Sequence, residues 1–93
     1  MTSLKKELSK QVTIVNELGL HARSAAKIAE IARNATAKLW IVKDGQKVDA
    51  SSIIDILTLA CAKGSQITVS TDNESDIHIL EAVVKMVKSG FGE

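Results

Sequence analysis

The string Gly19-Leu20-His21-Ala22-Arg23-Ser24-Ala25-Ala26 sets a nucleophile and a fixed cation two residues apart. A neutral imidazole offers a ring nitrogen with a free lone pair near neutral pH, and a guanidinium is a planar fork able to engage two oxygens of a tetrahedral anion. From Ala22 onward, Ala25, Ile28, Ala29 and Ala32 recur at i, i+3, i+4 and i+7. That spacing predicts a helix from about Ala22 to Arg33, with His21 at or just before its first turn. A helix start has unpartnered N–H groups and the positive end of the macrodipole, so it receives anions well. The chemistry these residues suit is uptake and release of a phosphoryl group. A phosphoramidate on imidazole stays reactive because a protonated imidazole leaves easily, whereas Ser or Thr would hold phosphate more firmly. His21 is then the acceptor and donor, Arg23 the residue on the phosphoryl oxygens, and the amides of Ala22 and Ser24 line the pocket. The same residues also read as a plain helix cap followed by a solvated Arg, since His-x-Arg is a short motif.

The rest of the chain reads as elements that position this stretch. Residues 1–10, with more Lys than Glu and no apolar stripe, form an N-terminal extension, and 11–93 form one domain. Val12-Thr13-Ile14-Val15 is a strand with Val12 and Ile14 on one face. Gly19 lets the loop before His21 bend without a Cβ to crowd an incoming phosphate. Lys38–Val42 and Gln46–Asp49 are strands of a hairpin closed by Asp44-Gly45, a pair that readily supplies positive φ. Ser52-Ile53-Ile54-Asp55 opens a second helix with a capping-box-like pattern, and Gly64 ends it. Gln66–Ser70 is the last strand, and Ile79, Leu80, Val83, Val84, Met86 and Val87 give the last helix a broad apolar face before Gly90 stops it. The order βαββαβα, each element with one apolar face, predicts an α+β two-layer sandwich: a four-stranded antiparallel sheet with helices on one side.

Composition narrows the function. Ninety-three residues with a net charge of +1 make one small domain without a long-range field for nucleic acid, and Trp40 and Phe91 are the only aromatic residues. One Cys and no Pro leave no intramolecular disulfide. Cys61 reads as a small buried residue, and a reducing, cytoplasmic location follows. His21 and His78 are too far apart in sequence, without clustered Cys or carboxylates, to suggest a metal site, and nothing calls for a cofactor. His78 reads as a surface residue. No apolar run is long enough to cross a bilayer.

From about Val12 to Glu93 the chain resembles HPr, the histidine-containing phosphocarrier family of the bacterial sugar phosphotransferase system. The resemblance is carried by the His21 string, by Val48-Asp49-Ala50-Ser51-Ser52-Ile53-Ile54, by Ala62-Lys63-Gly64-Ser65-Gln66-Ile67 and by Gly90-Phe91-Gly92-Glu93. It implies three helices on one face of the sheet, leaving Trp40 and Val42 on the open face. It implies phosphorylation of His21 through Nδ1 by Enzyme I and transfer to IIA components of sugar permeases, by a monomer. Ser24 departs from the Pro usual after the Arg; its hydroxyl either caps the helix or adds a donor near the phosphate. Ser52 stands where some members carry a regulatory serine, phosphorylated by an HPr kinase/phosphorylase, and reads equally as an N-cap. Docking would use Ala22, Arg23, Lys27, Ile53, Leu57 and Lys63. The competing function is an HPr-like regulatory binding module of a nitrogen-related or catabolite-control branch, against which the pairing of His21 with Arg23 argues. An acyl carrier, strongly acidic and nearly all helical, is excluded by the charge balance.

Overall fold

A computed structural model describes residues 8–93. Along the chain run β1 (Ser9–Thr13), α1 (Ala22–Ala32), β2 (Leu39–Lys43), β3 (Gln46–Asp49), α2 (Ile53–Thr58), β4 (Gln66–Thr71), a 3-10 turn at Glu74–Asp76, α3 (Ile77–Lys88) and a second 3-10 turn at Gly90–Gly92. The four strands form one antiparallel sheet in the order β1-β4-β2-β3, and the helices cover one face. The βαββαβα sandwich expected from the periodicities is the observed fold.

Register explains how the core closes. Ile41 on β2 pairs with Val69 on β4 and Val48 on β3, and Val12 on β1 pairs with Ile67. All five are buried, beneath Ala25, Ile28, Leu80 and Val83 of α1 and α3. Along the opposite face Ser9, Ser70, Trp40 and Asp49 stand side by side, with the Trp40 indole donating to Asp72 at 3.0 Å and lying 4.6 Å from the Lys47 ammonium. Asp44 and Gly45 adopt φ of 51° and 83°, so the hairpin turn is the left-handed type the dipeptide predicts.

Two boundaries and one cap differ most from the sequence expectation. Strand β1 begins at Ser9 and the Thr71 amide donates to the Leu8 carbonyl, because an edge strand pairs through its backbone and needs no apolar run. Residues 9 and 10 of the expected extension thus belong to the sheet, while residues 1–7 lie outside the described residues. Helix α2 does not run to Gly64; it stops at Thr58, with Ala60 in the left-handed region at φ 51°. The early stop turns the Cys61 carbonyl toward the loop before α1, where it accepts from the Leu20 amide at 2.8 Å. The Lys43 ammonium donates to the Leu59 and Ala60 carbonyls at the vacated helix end, 3.1 and 3.2 Å away. The reciprocal capping box is also not at Ser52, whose amide donates to the Asp49 carbonyl instead of to a side chain at Asp55. It lies at the start of α1.

Asp76 ties the layers together. Its carboxylate is buried and accepts from the Ala37 and Thr36 amides at 2.8 and 2.7 Å, fastening the α1–β2 link to the start of α3. Those two amides, Ala37 foremost, hold its carboxyl below the ordinary range.

Candidate functional site

The site is built on the loop between β1 and α1. Gly19 sits at φ +66°, and a Cβ there would fall 2.3 Å from the Cys61 carbonyl oxygen, so only glycine allows the loop to lie against the α2–β4 connection. Clamped by the Leu20–Cys61 hydrogen bond, the chain then presents His21 as the N-cap of α1 with extended backbone, φ −112° and ψ −178°. The cap is reciprocal. The Ser24 hydroxyl oxygen accepts from the His21 amide at 2.9 Å, while His21 Nδ1 accepts from the Arg23 amide at 3.3 Å. Ser24 is fully buried and its hydroxyl reaches the Gly19 and His21 carbonyls at 3.1 Å. Of its two roles weighed from sequence, the local cap is the one its hydroxyl performs.

The imidazole is half-buried, with one edge turned to α1 and the other to the last turn of the chain. His21 Nε2 lies 2.9 Å from Glu93 Oε2, and the other Glu93 oxygen accepts from Asn16 Nδ2 at 3.2 Å. Asn16 is buried, also donates to the Gly19 carbonyl at 2.8 Å, and among the described residues its own Oδ1 has no partner. An orphaned buried acceptor costs about 1–3 kcal/mol. The hydrogen bonds from His21 and Asn16 hold the Glu93 carboxyl below its ordinary range.

The other expected residues divide by their partners. Arg23 is exposed and, among the described residues, its guanidinium has no hydrogen bond or ion pair. Ala22 is exposed beside it. The Lys27 ammonium is committed to the Phe91 carbonyl at 2.8 Å, and Lys63 pairs with Glu17 at 3.0 Å on the surface. On α2, Ile53 is partly buried while Leu57 and especially Ile54, 75% exposed, face solvent. Leu18, 71% exposed, adds an apolar side chain on the loop before His21. Ser52 caps α2 by accepting from the Asp55 amide at 3.2 Å. His78 is exposed on α3, and Cys61 is buried, its thiol pushed up by desolvation. Among the described residues no His, Cys, Asp or Glu cluster is arranged to hold a metal ion, and no helix is long and apolar enough to cross a membrane.

Sequence reasoning missed Asn16, Glu93, Leu18 and Ile54 as members of this surface. Glu93 and Asn16 lie 72 and 77 positions from their partners, His21 and Glu93, and no periodicity spans such gaps. The one local signal was Gly90-Phe91-Gly92, two glycines around an aromatic residue just past a helix.

Residues 8–89 match the family model described as the PTS HPr component phosphorylation site. The chain belongs to the HPr family. The phosphocarrier HPr of Cupriavidus necator is 36% identical over 86 residues, which cover 92% of this chain and 97% of that one. The phosphocarrier protein NPr of Shewanella violacea is 37% identical over 87 residues, covering 94% and 96%. Among solved structures, HPr-C-His from Thermoanaerobacter tengcongensis superposes with a TM-score of 0.86 at 33% identity, over 91% of this chain and 96% of that one. This HPr-family chain is therefore a phosphocarrier of the phosphotransferase system, and its family accounts for a helix that opens on a histidine rather than on the usual Ser, Thr, Asp or Asn.

Proposed function

We propose that His21 Nδ1 accepts a phosphoryl group from phospho-Enzyme I and passes it to the IIA components of sugar permeases. The observation that supports this most is the imidazole at the mouth of α1, with Nδ1 turned to the first-turn amides and the Arg23 guanidinium uncommitted beside it. In the loading step the Nδ1 lone pair forms a bond to phosphorus while the bond to the donor nitrogen breaks; unloading is the reverse toward the next acceptor. Arg23 takes up the negative charge spread over the transferring oxygens, and the amides of Ala22 and Ser24 add fixed dipoles. Leu18 on the loop before His21 and Ile54 and Leu57 on α2 are exposed apolar side chains, suited with the cation Arg23 to brief docking on acidic partners. Incubation with phosphoenolpyruvate and Enzyme I should place one acid-labile phosphoryl group on the chain, and His21→Ala should abolish it. Retention of the group in that variant would end the proposal.

Regulatory phosphorylation of Ser52 by an ATP-dependent kinase is a separate reading, supported by a half-buried hydroxyl at a helix N-cap. Asp55 in the first turn and the Asp49 carboxylate three residues upstream oppose a further dianion there. Acid-stable phosphoserine formed with ATP and a cognate kinase decides between a switch and a plain cap.

A further inference from the structure

We infer that Glu93 is a positioning residue that selects which imidazole nitrogen of His21 carries the phosphoryl group, by holding the proton on Nε2 and so keeping the lone pair on Nδ1. The inference deepens the carrier reading and rests on it. Two contacts on opposite edges of the ring point to the same tautomer. An ionised carboxylate can only accept, so the 2.9 Å contact to Glu93 Oε2 requires a hydrogen on Nε2. On the other edge the Arg23 amide donates toward Nδ1, which therefore presents its lone pair to the helix start.

The carboxylate is delivered by a purpose-shaped turn. Gly90, Phe91 and Gly92 are all left-handed, with φ of 69°, 61° and 76°, an arrangement a non-glycine residue tolerates only when its surroundings enforce it. Burial of the Phe91 ring, the Lys27 hydrogen bond to the Phe91 carbonyl and the Glu93 amide bonded to the Gly90 carbonyl at 3.0 Å enforce it. Asn16 then fixes the second carboxylate oxygen, and does so while its own Oδ1 is buried without a partner among the described residues. A surface ion pair of convenience has no need of a left-handed Phe and a half-satisfied Asn. During loading the Nδ1 lone pair attacks phosphorus, the donor's P–N bond breaks with its electrons leaving on the donor nitrogen, and the Nε2 proton stays on the ring. The resulting positive ring lies against the Glu93 carboxylate, and on unloading the imidazole departs neutral with that proton still in place.

Phosphoramidate is the probe, because it phosphorylates histidine without any partner protein, ammonia leaving as the P–N bond breaks. On the full chain, 15N and 31P spectra distinguish the Nδ1 from the Nε2 isomer of phosphohistidine. The wild type should carry the Nδ1 isomer, Glu93→Ala should raise the ratio of Nε2 to Nδ1 isomer about tenfold, the effect of losing a charge-assisted hydrogen bond, and Glu93→Gln, which keeps an acceptor, should fall between them. The same isomer ratio in wild type and Glu93→Ala, or a wild type loaded mainly at Nε2, would overturn the inference. Failure of the carrier reading has a different signature, no loading of the wild type by phosphoenolpyruvate and Enzyme I.

Discussion

Helices α1 and α2 both start on a polar cap in extended backbone, yet only one start is suited to receive an anion. At α1, His21 and Ser24 cap each other, the first turn has no acidic residue, the Arg23 side chain has no partner among the described residues, and eleven residues of helix follow. At α2, Ser52 caps alone, Asp55 occupies the first turn, Asp49 stands upstream, and the helix has six residues. The macrodipole acts within the first turn and a carboxylate there already satisfies it, so α2 has little attraction left for a phosphate. The cap residue does not decide whether a helix start binds phosphate. The charges around it do.

The largest effect that would sharpen this contrast is on transfer. Arg23→Ala should slow phosphoryl loading about a hundredfold, the usual scale for removing one donor from a charge-stabilising site, while chemical denaturation shows stability changed by less than about 0.5 kcal/mol, as for an exposed side chain. A rate within threefold of wild type would remove the guanidinium from the α1 site and bring the two helix starts closer together.

Next come the caps themselves. Ser24→Ala leaves the His21 amide without its cap in a part-buried setting, and should cost about 1–2 kcal/mol. Ser52→Ala exposes one amide near water and should cost about 0.5–1 kcal/mol. Urea unfolding of both variants checks the order, and a reversed order would contradict the assignment of the reciprocal cap to α1.

The division between what the residues announced and what they hid follows the range of the interactions. The periods of Ala25, Ile28, Ala29 and Ala32 and of Leu39 and Ile41, and the Asp44-Gly45 turn, are local, and each matched the structure. The end of α2 is met by Lys43 and by the Gly19 loop, both from other parts of the chain, so Gly64 misled as a stop signal and instead donates its amide to the Ile14 carbonyl at 2.7 Å. At the site, His21 and Arg23 were visible because they share one turn. Asn16 and Glu93 meet them only after β1 and α3 have packed, and a lone carboxylate or amide in a polar loop carries no sequence mark of that meeting. Ser24 was visible as a departure from the family pattern, but its inward rotation became clear only from the Gly19 and His21 groups it bonds.

The smallest expected effect concerns acid. Hydrogen bonds from the Ser51 hydroxyl and amide, with help from Lys38, hold the Asp49 carboxyl below its ordinary value of 3.8. A carboxyl lowered in the folded state adds stability that is complete above the ordinary value and is lost as pH falls through the lowered one. Thermal unfolding of Asp49→Asn should therefore show a shallower decline with pH below about 4 than the wild type. The start of α2 then weakens in acid through its own carboxylate. A decline equal to that of the wild type would mean Asp49 does not support α2 in this way.

The contrast between the two helix starts is tested most directly by loading the wild type with phosphoenolpyruvate and Enzyme I, digesting it under neutral conditions and mapping the phosphoryl group by mass spectrometry. The group should lie on the peptide containing His21 and vanish on brief acid treatment. Recovery of an acid-stable group, or of a group on the peptide containing Ser52, would contradict the account.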